Sequence, residues 1–319
     1  MLPAHEFSSG HWLNGSPLSL SGLRGRVLLL NFWSYTSSAS LRVLPTIQRW
    51  NERYADAGLT VIGVHSPEFA FGREQAQIEW ALREYDIRFP VLLDSEYALW
   101  NAYACEDWPT FVLIDRNGGV RAQTSSAGRD LEQTVQMLLR EIDPTVDLPS
   151  VRDDDPLPQG FLEPTPDLFG GHTGGSLGNP EGYAGIAPIL YPMPEQRRNG
   201  AFYVSGAWQA SHEYLTYRGT TEGILQLPYE AVEVNAVLSP HPDIVERMLH
   251  PEALSVEIWQ DNLPIPNEHL GADVTEDGRL LLDRPRLYNL VRNPGFERHE
   301  LTLRIHTRGF TLYKFSFIG

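Results

Sequence analysis

The feature that most constrains the fold is an alternation of strand and helix patterns over residues 1–142. Residues 26–33 form a nearly continuous apolar run, which is typical of a strand buried on both faces. A helical pattern follows at once, with apolar residues three or four positions apart, and Gly58 ends it. Residues 59–64 repeat the strand pattern and residues 75–85 repeat the helical one. Strands that alternate with helices predict a central sheet covered on both faces.

The end of this alternating region predicts a hairpin and a last helix. Residues 90–93 and 111–114 read as short strands. Asn117-Gly118 is a strong hairpin signal, and residues 120–124 return as the second strand. A final helix carries a regular apolar stripe, formed by Leu131, Val135, Leu138 and Ile142. A hairpin added to parallel strands makes the predicted sheet mixed.

The second half of the sequence has a different period. Residues 143–166 are rich in Pro, Asp and Ser and predict a linker, and residues 169–185 are rich in Gly and predict an extended loop. Beyond Ala201, apolar residues recur every second position in short runs, and the last runs, near residues 301–305 and 310–317, predict a final hairpin. We therefore predict an α/β domain over 1–142, a linker over 143–166, and an all-β sandwich or jelly-roll domain over 167–319.

Charge and cysteine content exclude several classes of function. The net charge of -16 argues against nucleic acid as a partner. Cys105 is the only cysteine, so neither an intramolecular disulfide nor a multi-cysteine metal site can form. Residues 1–10 lack a basic region followed by an apolar core, and no apolar run is long enough to span a bilayer. We expect neither a signal peptide nor a transmembrane segment in this chain.

Four features in the first half follow one another in the order of a thioredoxin-type site. Residues 32–33 close the first buried strand, and Ser-Ser-Ala-Ser at 37–40 forms the corner before the helix. Pro45 lies inside that helix, and Trp108-Pro109-Thr110 immediately precedes a strand. In such a site a cysteine at a helix N-terminus is favoured as thiolate, because backbone N–H groups point at it. A second cysteine three residues later resolves the mixed disulfide, and a proline across the cleft presents backbone to a substrate peptide.

The chain resembles the soluble part of DipZ proteins, which are related to TlpA-type periplasmic reductases. The matching segments are residues 31–36, 41–45, 61–69 and 108–109, together with Arg-Pro-Arg-Leu-Tyr-Asn-Leu-Val-Arg at 284–292 in the β region. The resemblance implies a thioredoxin-like domain followed by a carbohydrate-binding-module-like β domain, and an extracytoplasmic, periplasmic or cell-envelope location. It also implies protein disulfides or peptides as partners, a membrane electron donor of CcdA type, and a glycan at the β domain.

The resemblance places the two redox cysteines at Ser37 (nucleophile) and Ser40 (resolving). A hydroxyl is far less acidic than a thiol and forms no disulfide, so we predict a thiol–disulfide oxidoreductase family protein without redox activity. Loss in evolution and deliberate substitution both fit the serines; we favour the first, because trapping experiments usually replace one cysteine. The residues expected to line the substrate cleft are Trp33, Tyr35, Thr36, Trp108, Pro109 and Thr110.

Other side chains near the corner carry weaker hypotheses. Ser37 or Ser40 as a hydrolytic nucleophile would need a base such as His65, but a helix-capping role is favoured. His65 and Glu68 could form a metal pair, and a structural or cleft-lining role is favoured. Cys105 alone could support a peroxidase-like activity, but a lone cysteine is more often a small core residue. We predict no cofactor and no metal.

The alternative to a redox enzyme is a binding protein. It would hold a peptide in the cleft beside Trp108-Pro109 and a glycan or cell-wall polymer on the β domain. Aromatic residues of the second half could form a sugar-stacking platform, although each is more often a core residue in a sandwich. These residues are Trp208, Tyr214, Tyr217, Trp259 and Tyr288.

Overall fold

The computed structural model describes residues 2–7, 10–151 and 162–319. The chain divides into two compact units, residues 1–159 and 160–319, and each is described by itself. Residues 152–161 of the predicted linker lie outside the described residues. Among the described residues, none of the helices is long and apolar enough to cross a membrane.

The first unit contains a six-stranded sheet and helices that alternate with its strands. Its strands are β1 (His11–Leu13), β2 (Val27–Trp33), β3 (Leu59–His65), β4 (Val91–Leu93), β5 (Thr110–Ile114) and β6 (Val120–Thr124). Its helices are α1 (Ser38–Tyr54), α2 (Gln75–Glu84), α3 (Ala98–Ala102) and α4 (Arg129–Ile142), with a 3₁₀ turn at Ala70–Arg73.

The sheet has the order β1-β4-β3-β2-β5-β6 and mixes parallel with antiparallel pairs. Strand β2 is central: it runs parallel to β3 and antiparallel to β5, and all of its residues are buried. The α/β prediction with a mixed sheet is therefore confirmed. Because β2 and β3 are parallel, their carboxyl ends meet the start of β5 at one edge, which is where the Ser37 corner and Trp108-Pro109 converge.

The second unit is built almost entirely from strands. Its elements are β7 (Leu168–Phe169), β8 (Ile189–Tyr191), β9 (Tyr203–Ala210), β10 (Leu215–Tyr217), β11 (Gly223–Ser239), α5 (Ile244–Leu249), β12 (Leu254–Gln260), β13 (Leu263–Pro264), β14 (Arg279–Leu282), β15 (Arg286–Ile305) and β16 (Thr311–Ile318), with a 3₁₀ turn at Asn267–His269. The all-β prediction for this region is confirmed.

The long strand β11 organises this unit. Its first half pairs with β9 and its second half with β16, while β15 pairs along the opposite side. Strand β10 joins β9 to β16, so β9, β10, β16 and β11 form a closed ring of pairings. A ring of pairings cannot lie flat, and the sheet therefore curves around a single apolar cluster that includes Trp208, Leu227 and Phe315.

The predicted final hairpin is wrong. Strands β15 and β16 are consecutive in sequence, but β11 lies between them in the sheet. The alternating pattern identified both strands correctly because it reports which residues are buried. It cannot report the partner, since ladder pairing depends on residues far away in sequence.

Candidate functional site

The corner between β2 and α1 places Ser37 at the helix N-cap. Its backbone is extended, with φ -90° and ψ 115°, and its Oγ accepts a hydrogen bond from the backbone N–H of Ser40 at 3.2 Å. Serine is a preferred N-cap because its oxygen satisfies one of the N–H groups that a helix start leaves unpaired. The Ser40 hydroxyl in turn accepts a hydrogen bond from the backbone N–H of Ser34 at 3.4 Å. Both serines are buried, with 6% exposure at Ser37 and 1% at Ser40.

The hydroxyl groups that precede Ser37 form a chain of hydrogen bonds that ends at Glu68. Thr36 Oγ1 donates to the Glu68 carboxylate at 2.7 Å, and its distance to Ser34 Oγ is 2.8 Å. Because a carboxylate only accepts, the Thr36 proton points at Glu68 and the Ser34 hydroxyl donates to Thr36. Glu68 therefore contacts the loop that connects β2 to α1 through the hydrogen bond from Thr36.

The segment before β5 closes the site from the other side. The Trp108–Pro109 peptide is cis. The Ser37 hydroxyl donates to the Trp108 carbonyl oxygen at 3.4 Å, and the Trp108 indole N–H donates to the Ser66 carbonyl oxygen at 3.0 Å. The corner, the end of β3 and the proline segment are thus connected by hydrogen bonds.

The structure brings the predicted site residues together, but most of the side chains expected to line the cleft are buried. The rings of Trp33 and Tyr35 and the Thr36 side chain are buried beneath the corner, whereas Trp108 is half-buried. A peptide beside this corner would therefore meet Trp108 and backbone groups rather than the rings of Trp33 and Tyr35. Pro109 and Thr110 are buried, and Thr110 Oγ1 donates to the Asp107 carbonyl oxygen at 2.7 Å.

Behind the corner lies a layer of buried polar atoms on one face of the sheet. Asn31 and Trp33 of β2 are paired in register with Gly63 and His65 of β3. The Asn31 side-chain amide, the Trp33 indole N–H and both ring nitrogens of His65 are buried without a hydrogen-bond partner among the described residues. Buried polar groups usually have partners. Sequence analysis named Trp33 as a cleft residue and His65 as a possible base or metal ligand, but it did not predict a layer of polar atoms without partners among the described residues.

His65 is neutral and cannot serve as a base for either serine. Its ring stacks on Tyr35 at 5.6 Å between centroids and meets Trp33 edge-on at 5.2 Å. Complete burial lowers its pKa to about 3. Because neither ring nitrogen has a partner among the described residues, no serine–histidine pair exists there. His65 and Glu68 also do not belong to any group of three or more possible metal ligands among those residues. The structural role favoured for His65 agrees with these contacts.

Cys105 is a core residue. It is buried in the apolar cluster that contains Phe32, Trp100 and Tyr103. Burial raises the pKa of its thiol to about 12, with Asp94 adding to the effect and Thr110 opposing it. Since the thiolate is the reactive form, this environment opposes the peroxidase-like hypothesis.

Other supporting residues were not identified from the sequence. Asp94, after β4, accepts from the backbone N–H groups of Leu99 and Trp100 at 3.0 and 2.9 Å and so fixes the start of α3. The Ser66 hydroxyl donates to the same carboxylate at 3.3 Å. An Asp a few residues before a helical pattern is a capping signal, but α3 has only 5 residues and shows no usable periodicity.

In the second unit, the structure excludes a sugar platform built from all five candidate aromatics. Trp208, Tyr217 and Tyr288 are fully buried in the core. Trp259 is half-buried, and the Arg304 guanidinium lies 4.3 Å from the centre of its ring. Tyr214 is also half-buried and contacts Tyr313 at 5.3 Å between centroids.

The corner brings together the groups that were predicted to surround a thiol–disulfide exchange site, with hydroxyl groups at positions 37 and 40. A helix start, an N–H donor at Ser40 and a cis-proline segment surround Ser37. These groups can stabilise a negative charge or hold a peptide backbone. They cannot exchange disulfides, because oxygen at positions 37 and 40 has no disulfide state to cycle through.

Comparison with known proteins finds two family matches, one in each half of the chain. Residues 3–123 match the AhpC/TSA family, and residues 166–317 match the family described as thioredoxin-like C-terminal domain. Protein DipZ of Mycobacterium bovis and of Mycobacterium tuberculosis is 32% identical over 240 residues, which cover 71% of this chain and 33% of DipZ. The chain thus spans about a third of the length of these relatives.

Other proteins match a smaller share of the chain. Thiol-disulfide oxidoreductase YkuV of Bacillus subtilis is 29% identical over 132 residues, which cover 41% of this chain and 88% of YkuV. The solved structure of thioredoxin-like superfamily protein SPOA0173 is 23% identical, has a TM-score of 0.40, and covers 47% of this chain and 100% of its own. The predicted resemblance is confirmed: the chain is similar to DipZ and to thiol–disulfide oxidoreductases of the thioredoxin-like type, with an AhpC/TSA-family region followed by a thioredoxin-like C-terminal domain.

Proposed function

We propose that the first unit is a redox-silent relative of the thiol–disulfide oxidoreductases that binds an extended peptide segment of a protein partner without reducing it. Ser37 stands in the nucleophile position and Ser40 in the resolving position. The proposed location is extracytoplasmic, which rests on the similarity to DipZ.

The observation that carries this proposal is the hydrogen bond from the Ser37 hydroxyl to the Trp108 carbonyl oxygen, at 3.4 Å. It joins the helix N-terminus to the cis-proline segment, the two elements between which a substrate peptide is held in this fold. This contact supports a site that binds a peptide backbone although positions 37 and 40 are serines. An electron donor of CcdA type has no acceptor in this chain, since Cys105 is buried and has no cysteine partner.

Restoring the thiols tests the proposal directly. The unmodified chain should not reduce insulin in the presence of dithiothreitol above the rate of the reductant alone. The double variant Ser37→Cys/Ser40→Cys should do so, because a cysteine at position 37 would lie at a helix N-cap with an N–H donor already in place. A folded double variant without activity would contradict the assignment of these two positions.

A second substitution in the double variant separates recognition from chemistry. Trp108→Ala should raise the KM for insulin, because Trp108 is the half-buried ring at the corner. The matched control is Trp80→Ala, since Trp80 is also half-buried but lies on α2 and packs against Tyr85. Equal KM values in the two variants would argue against a peptide cleft at Trp108, provided that both melt at similar temperatures.

A glycan on the second unit has less support. Three of the five candidate aromatic rings are buried in the core, which leaves Tyr214 and Trp259 as half-buried candidates. Sugar stacking needs an open ring face, and the Arg304 guanidinium covers one face of Trp259 at 4.3 Å. The peptide cleft is therefore the function that the geometry supports best.

A further inference from the structure

Three possible metal ligands meet in the second unit although they come from separate segments. His269 lies in the 3₁₀ turn Asn267–His269, while Glu297 and His299 alternate along β15. Each offers one ligand atom, and the three atoms lie within 4.8 Å of one another. All three side chains are partly exposed, so an ion could reach them from solvent.

A buried hydrogen-bond network determines which nitrogen of His269 carries its proton. Asn293 Nδ2 donates to the Ala231 carbonyl oxygen at 3.0 Å, which turns Asn293 Oδ1 toward Gln260. Gln260 Nε2 donates to that oxygen at 3.1 Å and to the Tyr229 hydroxyl at 2.9 Å. Gln260 Oε1 therefore faces His269 Nδ1, at 2.7 Å, and can only accept. His269 Nδ1 must carry the proton, and its Nε2 keeps a lone pair for a ligand.

A carboxylate orients His299 in a comparable way. Asp261 Oδ2 lies 2.7 Å from His299 Nδ1, while Asp261 Oδ1 accepts from the Glu300 backbone N–H at 2.9 Å. The carboxylate is thus fixed from two sides and holds the proton on Nδ1. His299 Nε2 donates to Glu297 Oε2 at 2.9 Å, so both ring nitrogens carry a proton here, and a metal ion would bind by displacing the Nε2 proton that now joins His299 to Glu297. Histidines that bind metals usually donate their other ring N–H to a carboxylate or carbonyl group, and both histidines here have such a partner.

We propose that His269 Nε2, His299 Nε2 and a Glu297 carboxylate oxygen bind a divalent transition-metal ion of the Zn²⁺ type. Two imidazoles and one carboxylate suit Zn²⁺ rather than Mg²⁺ or Ca²⁺, which prefer oxygen ligands. Three protein ligands leave a fourth position for water or for a group of a partner. The site differs from the sequence-based expectation of no metal, because the ligands are far apart in sequence and form no spacing motif.

Titration calorimetry of the tag-free full chain with ZnCl₂, after treatment with a chelator, tests the site. We expect one Zn²⁺ per chain, preference for Zn²⁺ over Mg²⁺, and a rise in the melting temperature on binding. His269→Ala and Glu297→Gln should each weaken binding at least tenfold. Asp261→Asn, which leaves all three ligands in place, should weaken binding about 10- to 100-fold, because it removes the group that orients His299.

The matched control is His212→Ala, since His212 is an exposed histidine of the same unit outside the cluster. Its affinity for Zn²⁺ should equal that of the unmodified chain. The absence of stoichiometric Zn²⁺ binding, or unchanged binding in both His269→Ala and Asp261→Asn, would overturn the proposal. Asp261 is exposed, so its Asn variant should fold even where a ligand variant does not, and circular dichroism verifies this.

Discussion

The substitution Ser37→Cys should produce an unusually acidic thiol. The size of the pKa decrease can be worked out from the groups that surround position 37. A free cysteine has a pKa of about 8.5. The N-terminus of α1 would stabilise a thiolate at position 37 by about 1 kcal/mol, and the hydrogen bond from Ser40 N–H, now at 3.2 Å to the Ser37 oxygen, by about 1 kcal/mol more. A total of about 2 kcal/mol corresponds to a decrease of about 1.5 pKa units. Burial of position 37, which is 6% exposed, disfavours the thiolate as it does at Cys105, so about 7 is the lower limit for the pKa of the new thiol.

The assay is the rate of alkylation by iodoacetamide as a function of pH, with the modified residue located by mass spectrometry. The thiolate fraction at pH 7 should rise from about 3% to at most about half. A less basic thiolate is also a weaker nucleophile, which removes up to about fivefold of the gain in rate. The midpoint of the pH profile is therefore a better readout than the rate at one pH.

The matched control is Ser40→Cys. Ser40 lies inside the first turn of α1 and is 1% exposed, so a cysteine there should react much more slowly. The unmodified chain supplies the background from Cys105. A midpoint at or above pH 8.5 for Ser37→Cys would refute the claim that the corner is electrostatically prepared for a thiolate.

Two further predictions concern buried groups. His65 has a folded pKa of about 3, below the ordinary 6.5 of the unfolded chain, so the unfolded state binds more protons between these values. The free energy of unfolding of the first unit should therefore fall as pH decreases from 6.5 toward 3, and His65 should contribute up to about 1.4 kcal/mol per pH unit to this fall. The variant His65→Phe should show a weaker pH dependence in denaturant titrations. An unchanged slope in His65→Phe would contradict the burial argument. Cys105, with a pKa of about 12, should resist Ellman's reagent at pH 8 in the folded chain and react fully in guanidinium chloride. Rapid reaction in the native state would show that the thiol is accessible.

Much of the first unit could be predicted from the sequence, because its strands are buried on both faces. Residues 26–33 form an apolar run that admits few alternatives, and the corner after it contains residues in a recognisable order. Strand β1 and helix α3 were missed, since 3 and 5 residues are too few to show a period. The layer of Asn31, Trp33 and His65 could be placed in β2 and β3, but its lack of partners depends on packing that a sequence does not show.

The second unit was predictable as all-β but not in its connections. The alternating pattern broke β11 and β15 into short runs, because bulges such as the one between Ala231 and Glu233 interrupt the period of two. The His269, Glu297 and His299 cluster requires the 3₁₀ turn to lie against β15, which is a tertiary contact. The local sequence pattern indicates which residues are buried and where turns occur. Strand pairing and side-chain clusters instead depend on residues that are distant in sequence.

The interior position of β16 in the sheet affects how the second unit can fold during synthesis. Residues 311–318 pair with both β11 and β10, which precede them in sequence, so β16 completes the middle of the sheet rather than extending its edge. Until these residues have been synthesised, β10 and much of β11 expose unpaired backbone that can pair wrongly with another chain. Loss of only the last strand would open the sheet at its centre. We therefore expect nascent chains of this unit to depend on protection by chaperones until β16 has been synthesised.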